Sequence, residues 1–327
     1  MLQILVTGAA GYIGSAITCS LVNYGHKVLG LDNLDQGHLA ALSPEVEFIK
    51  ADIADVPVLK QIFTSNDIDA VIHLAALSQV GASTAEPGPY YTNNLLKSLI
   101  LLETMREFGI KRMIFSSSAS VYGSPQSIPI VEEEPVKPMN PYGSTKGTFE
   151  EILSWYEGAY GSKAVSLRYF NAAGSTHISG EDHSPETHLI PNIFKVVLGQ
   201  ADSLRVFGDN HATPDGTAIR DYVHIQDIAN VHLKLLENFD RVPSPIYNVG
   251  LGCGYSINEI VTEARRITSH PIPIQIYGKR PGDPPALIAE TSKLRNEIGW
   301  EPTYDTIESI LESSWRWHRT NPEGYTA

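Results

Sequence analysis

The residues of this sequence best suited to chemistry lie in one short stretch, residues 140–146, which reads Asn-Pro-Tyr-Gly-Ser-Thr-Lys. Asn140 followed by Pro141 predicts a helix start, because asparagine caps helices and proline is tolerated at the first helical position. Tyr142 and Lys146 are then four residues apart, on one face of that helix. A nearby ammonium favours a phenolate, so we expect Lys146 to lower the pKa of Tyr142 toward the range useful for acid–base catalysis.

Because such a pair is common on helix surfaces, its meaning depends on the elements that position it. The chain opens with a short apolar strand followed by Gly8, Gly11 and Gly14, spaced G-x-x-G-x-x-G, and then a helical pattern. This order brings backbone N–H groups and a helix N-terminus onto a pyrophosphate. The next strand ends in Asp32, which can accept both ribose hydroxyls of adenosine and would repel a 2′-phosphate. The sequence therefore predicts dinucleotide binding, with NAD favoured over NADP.

Apolar strands and helices continue to alternate, which predicts an α/β fold with a doubly wound, Rossmann-type parallel sheet. Further strands are predicted at residues 46–50, 70–76, 111–115 and 163–170, with a long helix at 90–108. From residue 172 the pattern changes to loops bearing glycine, proline and histidine. We therefore expect an NAD-binding domain over residues 1–171 and a smaller substrate domain over 172–327, parts of which return to the sheet.

Parallel sheets bind ligands outside the carboxyl ends of their strands, so the residues there are candidates for the cofactor site. Asp52 and Ile53 could flank an adenine, although Asp52 could instead be a simple cap of the next helix. Ala75 and Ala76 are small enough to let a cofactor approach the backbone. Ser116, Ser117 and Ser118 end the strand that precedes Tyr142 by about two dozen residues. His73 lies inside its strand and is expected to be a hydrogen-bonded core residue.

Composition excludes several classes of partner. The net charge is −13 and the sequence has no run of Lys or Arg, which argues against nucleic acid or an anionic membrane as the main partner. No apolar run reaches the roughly 20 residues that span a bilayer, and the N-terminus does not resemble a signal peptide. Cys19 and Cys253 form neither a disulfide framework nor a metal-ligand spacing. We therefore expect a soluble cytoplasmic protein without a metal.

These motifs together resemble the extended short-chain dehydrogenase/reductases, and within them the UDP-sugar 4-epimerases. The resemblance runs nearly end to end, through Thr-Gly-Ala-Ala-Gly-Tyr-Ile-Gly at 7–14, Leu-Asp-Asn-Leu at 31–34, the serine-rich 115–123, Pro-Tyr-Gly-Ser-Thr-Lys at 141–146 and Arg-Tyr-Phe-Asn at 168–171. The more specific motifs are Asp-Gly-Thr-Ala-Ile-Arg-Asp-Tyr-Val-His at 215–224 and Arg-Pro-Gly-Asp at 280–283.

The resemblance implies roles for individual residues. Tyr142 would be the catalytic base, Lys146 would hold the nicotinamide ribose, and Ser118 would hydrogen-bond the reacting sugar oxygen. Besides the glycines and residues named above, it places Tyr12, Ile13, Asn33, Leu74, Asn93 and Phe170 at NAD. At the UDP-sugar it places Asn171; His188 and Leu189 at the start of a helix whose body covers 193–198; Arg205 and Phe207 on an edge strand at 204–208; Arg220, Tyr222, Arg280 and Asp283; and Leu287, four residues further at helical spacing.

The implied activity is NAD-dependent interconversion of UDP-glucose and UDP-galactose through a 4-keto sugar, by a homodimer. Two positions depart from the family pattern: Ser78 stands where a lysine often faces NAD, and Leu287 is intermediate in size where a large aromatic excludes N-acetyl sugars. UDP-N-acetylhexosamines or UDP-pentoses therefore stay open as substrates. A nucleotide-sugar dehydratase or decarboxylase is disfavoured because Ala119 and Ser120 offer no carboxylate beside Ser118. A redox-sensing NAD module would not need the Ser-Tyr-Lys set.

Overall fold

A computed structural model of the protein describes residues 1–280 and 283–325, in which strands and helices alternate as the sequence predicts. The strands are β1 (Gln3–Thr7), β2 (Lys27–Asp32), β3 (Glu47–Lys50), β4 (Ala70–His73), β5 (Arg112–Ser118), β6 (Lys163–Tyr169), β7 (Asn171–Ala173), β8 (Leu204–Phe207), β9 (Ile219–Arg220), β10 (Tyr222–His224), β11 (Ile246–Val249), β12 (Tyr255–Ser256), β13 (Ile274–Tyr277) and β14 (Ala286–Leu287). The helices are α1 (Tyr12–Asn23), α2 (Val56–Ser65), α3 (Val80–Ala85), α4 (Pro87–Tyr90), α5 (Lys97–Glu107), α6 (Pro141–Tyr160), α7 (Leu189–Val197), α8 (Ile225–Glu237), α9 (Ile257–Thr268), α10 (Ser292–Ile298) and α11 (Ile307–Thr320).

Seven parallel strands form the central sheet in the order β11-β6-β5-β4-β1-β2-β3. The chain winds outward from β1 in one direction and from β4 in the other, so the strand order reverses between these two neighbours. Crevices at such a reversal are where open α/β sheets bind ligands. The predicted doubly wound Rossmann-type fold is confirmed.

Consecutive strand residues point to opposite faces of the sheet. Helices cover both faces, so both sets of side chains are buried. Ile4 and Val6 of β1 belong to the core shared with α1 and α8, whereas Leu5 belongs to the core shared with α2, α5 and α6. His73, at the end of β4, is buried as expected and lies between two hydroxyls, with 2.7 Å from Nδ1 to Thr7 Oγ1 and 2.8 Å from Nε2 to Ser98 Oγ.

The second half builds a smaller lobe and also completes the sheet. Its core lies between α7, α9 and α11 and the parallel pair formed by β8 and β13. Strand β11 extends the central sheet beside β6, and α8 packs against α1. In the described residues no helix is both long and apolar enough to cross a membrane. The boundary at residue 171 stays a prediction.

Several predicted elements differ in detail. The long helix begins at Pro87 and changes to a π-helical turn over Tyr91–Leu96 before α5. Helix α7 begins at Leu189, within the helix start predicted at residues 188–191, where Pro191 fits the first helical turn, and it ends at Val197, one residue before the predicted end.

The helical spacing assumed for Leu287 is wrong. This residue lies in β14, where its carbonyl accepts the N–H of Asp221 at 3.0 Å and the strand runs parallel to β9.

Candidate active site

Helix α6 carries the candidate catalytic pair and begins where the sequence predicts. Asn140 caps it by accepting the N–H of Gly143 at 2.8 Å, Pro141 occupies the first turn, and Gly161 ends the helix in the left-handed region with φ 65°. Glycine adopts that conformation without a steric penalty. Tyr142 and Lys146 therefore lie one turn apart, above the carboxyl end of β5.

Lys146 is held by the strand end that carries the serines. It is 3% exposed, and its Nζ donates a 2.7 Å hydrogen bond to the carbonyl of Ser116. The same atom lies 4.8 Å from the ring centre of Phe115 and 5.9 Å from that of Tyr142. Burial lowers the pKa of Lys146 to about 7, although the nearby Glu150 carboxylate opposes the shift.

The expected lowering of the Tyr142 pKa by Lys146 is wrong for this arrangement. Burial raises the pKa of Tyr142, a hydrogen bond with Ser118 opposes the rise, and neighbouring Tyr90 adds to it. The Lys146 ammonium points at the Ser116 carbonyl, so its charge does not offset the burial of the phenol. The structure does bring Ser118, Tyr142 and Lys146 together, which sequence separation alone does not guarantee.

A buried polar network beneath this pair was missed by the sequence reasoning. Glu150, one turn beyond Lys146, pairs with Arg168 of β6 through two hydrogen bonds of 3.0 and 2.6 Å. The Glu150 carboxylate also accepts the Ser117 hydroxyl at 2.5 Å, and Arg168 donates to the Tyr122 hydroxyl at 2.9 Å. Arg168 is 2% exposed. The network therefore links α6 to the strand end that bears Ser116, Ser117 and Ser118.

The glycine turn after β1 has the geometry of a dinucleotide cradle. Gly8 has φ +70°, and a Cβ there would lie 2.7 Å from the backbone nitrogen of Ala75. A Cβ on Gly14 would lie 2.0 Å from the carbonyl oxygen of Gly8. Gly11 precedes α1 without a side-chain cap, so the first-turn N–H groups of Tyr12 and Ile13 face the crevice for an anion. These features fit a pyrophosphate.

Asp32 sits at the end of β2 beside this turn. Its carboxylate accepts the N–H groups of Ala10 at 3.0 Å and Leu34 at 2.8 Å, which orient it in the crevice. Burial raises its pKa, and these two hydrogen bonds oppose the shift. Each oxygen has a second lone pair available for a ribose hydroxyl. Asn33 follows at the edge, donating to Asp35 at 2.7 Å.

Asp52 is not a helix cap. Asp55 caps α2 by accepting the N–H of Val58 at 3.2 Å, whereas Asp52 forms a 2.5 Å ion pair with Lys97 of α5. The adjoining Ile53 is buried in the core of this face. Asp52 therefore joins the segment after β3 to the start of α5.

The loop after β4 is fixed by Asn94, the neighbour of Asn93, which was the residue predicted to contact NAD. Asn94 is 2% exposed, accepts the N–H of Leu77 at 2.8 Å and donates to the Leu77 carbonyl at 2.8 Å. Asn93 donates to Asn94 at 3.2 Å and is only half-buried. Leu74, Ala75 and Ala76 are half-buried at the crevice, and Ser78 is exposed.

Two arginines converge on the opposite side of the site. Arg220 forms an ion pair with Asp283, and the Arg280 guanidinium stacks 3.9 Å from the ring centre of Phe207. Burial and the charge of Arg220 lower the pKa of Arg280, with Asp283 opposing. Two neighbouring guanidinium groups suit a diphosphate. Pro281 and Gly282 of this motif lie outside the described residues.

The remaining residues predicted to contact the sugar or the nucleotide differ in their burial and in their neighbours. Leu287 packs against a small cluster that includes Ala119, Tyr122 and Phe170, which places it near Ser118. Asn171 is exposed at the start of β7, and Tyr222 is buried beside Arg220.

Arg205 points outward from β8, and His188 turns toward two glutamates rather than the crevice. The nucleotide role of His188 stays a prediction, and Leu189 beside it is half-buried.

The fold, the glycine cradle and the Ser-Tyr-Lys cluster define an NAD-dependent enzyme of the short-chain dehydrogenase/reductase type. The model of the NAD dependent epimerase/dehydratase family matches residues 4–250. The chain belongs to this family.

Its relatives are similar over the full length. The UDP-glucose 4-epimerase of Halalkalibacterium halodurans is 46% identical, over 99% of this chain and 98% of its own. A crystal structure of a UDP-glucose 4-epimerase with 43% identity has a TM-score of 0.96 and covers 99% of this chain and 100% of its own. A UDP-glucose 4-epimerase from Bifidobacterium longum, solved in complex with NAD+ and UDP, has 39% identity, a TM-score of 0.93 and the same coverages.

Proposed function

We propose that the protein interconverts UDP-glucose and UDP-galactose by inverting C4 of the hexose with bound NAD. Three features carry this proposal, and Leu287 connects two of them, because it pairs with Arg220 and packs against the cluster that contains Ala119, the residue after Ser118. The three features are the Ser118–Tyr142–Lys146 cluster, the glycine cradle with Asp32, and the Arg220–Arg280 pair. The first can move a proton at a sugar hydroxyl, the second fits a dinucleotide, and the third fits a diphosphate.

Tyr142 acts as the base toward the 4-hydroxyl, and Ser118 shares a hydrogen bond with the same oxygen. NAD supplies, when bound, the acceptor and later the donor of the C4 hydride, together with a positive charge that favours the Tyr142 phenolate. Lys146, fixed on the Ser116 carbonyl, would hold the nicotinamide ribose beside Tyr142. At the end of the reaction Tyr142 would give its proton back to the sugar oxygen.

Inversion requires that the 4-keto sugar turn over between the two hydride steps. The charged contacts proposed for the substrate, Arg220 and Arg280, lie at the nucleotide end, where Phe207 stacks on Arg280. The hexose end is bordered by Leu287, which is apolar and packs against Phe170. Strong contacts to the diphosphate and few polar contacts to the hexose let the sugar rotate while its nucleotide stays bound.

Elimination of water from the keto sugar is disfavoured by the residues that follow Ser118. A dehydratase needs a further acid and base at the sugar, whereas the next residues are Ala119, which is buried, and Ser120. We therefore favour return of the hydride over dehydration.

The direct test incubates the purified protein with UDP-galactose and, separately, with UDP-N-acetylgalactosamine, without and with added NAD. We expect UDP-glucose to form without stoichiometric NADH. A 6-deoxy-4-keto product, or no turnover despite NAD binding, would contradict the proposal. The ratio of the two rates shows whether Leu287 admits N-acetyl sugars. The response to added NAD shows whether Ser78, in place of a lysine, weakens NAD binding.

We also propose that two copies pair through α5 and α6 and that the enzyme acts in the cytoplasm. Trp155 of α6 is 71% exposed and Leu96, just before α5, is 54% exposed, which is unusual for large apolar side chains. Cys19 and Cys253 are free thiols, as in reducing compartments. Light scattering of the wild-type protein and of Trp155→Glu tests the pairing. A dimer that Trp155→Glu converts to a monomer supports it, and an unchanged state in the variant contradicts it.

A further inference from the structure

The loop between β7 and α7 gathers four side chains that bind metal ions. Glu181, His183, Glu186 and His188 fall within eight residues, and one ligand atom of each lies within 4.8 Å of the others. The sequence reasoning looked for cysteine spacing and missed this Glu-x-His-x-x-Glu-x-His pattern. None of the four belongs to the Ser-Tyr-Lys cluster.

Two distances between ligand atoms of this group fit joint coordination of one metal ion better than a direct hydrogen bond. His183 Nδ1 lies 3.6 Å from Glu181 Oε1 and 3.6 Å from Glu186 Oε2, too far for hydrogen bonds. Ligand atoms bound tetrahedrally to zinc at 2.0–2.1 Å are separated by about 3.4 Å. His188 Nδ1 lies 2.9 Å from Glu181 Oε1 and 2.8 Å from Glu186 Oε1, on the other side of the group.

Two buried atoms point into the group without a partner. Among the described residues, His183 Nδ1 and Glu186 Oε2 have no hydrogen-bond partner. The Glu186 side chain is only 2% exposed, and its other oxygen already accepts the N–H groups of Thr187 and His188, each at 2.7 Å. These two atoms face each other at 3.6 Å, and a cation bound between them would give each the partner that it lacks at hydrogen-bond distance.

We propose that Glu181, His183, Glu186 and His188 bind one divalent transition-metal ion of the zinc class. Two imidazole nitrogens and two carboxylate oxygens are ligands that zinc accepts, and the dication balances the two negative charges in the buried site. Because the protein supplies all four ligands, the ion leaves no position for substrate. Its role is to hold the loop.

The loop lies over the candidate NAD crevice, which gives the ion a function. The rings of Tyr12 and His183 meet edge to face with centres 6.2 Å apart. Gln79, after β4, donates to the Pro185 carbonyl at 3.0 Å, and His38, after β2, lies 3.0 Å from the Asp182 carbonyl. The loop thus contacts the segments that follow β1, β2 and β4. We infer that the metal fixes it there and slows NAD release.

The test uses the full-length protein, stripped of metal with a chelator and titrated with Zn²⁺ or Co²⁺. We expect one ion per chain and the visible absorption of tetrahedral Co²⁺, displaced by Zn²⁺. His183→Ala and Glu186→Gln should weaken binding at least tenfold. His177→Ala, which replaces an exposed histidine of the same loop outside the four proposed ligands, is the matched control and should bind as the wild type does.

Failure of the wild type to bind either ion, or equal binding by His183→Ala and the wild type, would overturn the site. If the variants do not fold, the wild-type Co²⁺ spectrum and its displacement by Zn²⁺ decide the matter alone. The role in NAD retention is tested by the NAD that stays with the protein through gel filtration. It should fall on metal removal and recover with Zn²⁺, and no change would overturn that role.

Discussion

Replacing Arg168 with methionine tests the buried network beneath the catalytic helix. The change keeps most of the side-chain volume but removes both hydrogen bonds to Glu150 and the one to the Tyr122 hydroxyl. Glu150 would stay buried with only the Ser117 hydroxyl as donor. Breaking a buried ion pair by removing one partner costs about 3–5 kcal/mol of unfolding free energy. We also expect a fall in kcat, because Ser117 adjoins Ser118 and Glu150 lies one turn from Lys146.

The matched control is Arg106→Met, which removes an exposed Arg–Glu pair with Glu103. Exposed pairs contribute about 0–1 kcal/mol, so urea unfolding of the two variants at one NAD concentration should separate them clearly. The double variant Arg168→Met, Glu150→Leu removes both buried charges and should recover much of the lost stability. If Arg168→Met costs no more than Arg106→Met, or the double variant is no better than the single, the reasoning is refuted.

Four further outcomes are expected. Tyr142→Phe should lower kcat by about 10²–10⁴-fold with little change in NAD affinity measured by fluorescence, and an active variant would exclude Tyr142 as the base. The pKa of Lys146 is about 7 when folded against 10.5 for the unfolded chain, so between these values the unfolded state binds more protons. The stability of the wild type relative to Lys146→Met, measured by urea unfolding, should therefore rise from pH 7.5 to 9, by up to about 1.4 kcal/mol per pH unit, and a fall would contradict the burial. Asp32→Asn should weaken NAD binding by about 10–100-fold in calorimetry and reduce discrimination against NADP, since a hydrogen bond to a charged group contributes about 1.5–3 kcal/mol. Leu287→Tyr should lower the rate with UDP-N-acetylgalactosamine more than that with UDP-galactose, and equal losses would show that this position does not sort the sugars.

The parts of the fold that follow from local pattern were predictable from sequence. The glycine turn, Asp32 at the end of β2 and the Asn140–Pro141 helix start each depend on a few neighbouring residues, and the structure has them where predicted. The parallel sheet follows from alternating strands and helices.

The missed features depend on contacts between residues distant in sequence. Lys97 pairs with Asp52 and Arg168 pairs with Glu150, so neither partner has a local signal. The pKa of Tyr142 was misjudged because helical spacing gives proximity to Lys146 but not burial or the direction of the ammonium. The family resemblance places His188 at the nucleotide, but no resemblance or local pattern indicated that its ring pairs with Glu181 and Glu186.

The central claim is that the C4 hydride leaves and returns within one bound complex. Its most direct test supplies UDP-galactose deuterated at C4 to the NAD-loaded enzyme in ordinary water and examines the product by NMR. The account predicts UDP-glucose with the deuterium still at C4 and no label in the solvent. Loss of the deuterium to water, or a product that has lost water from the hexose, would contradict it.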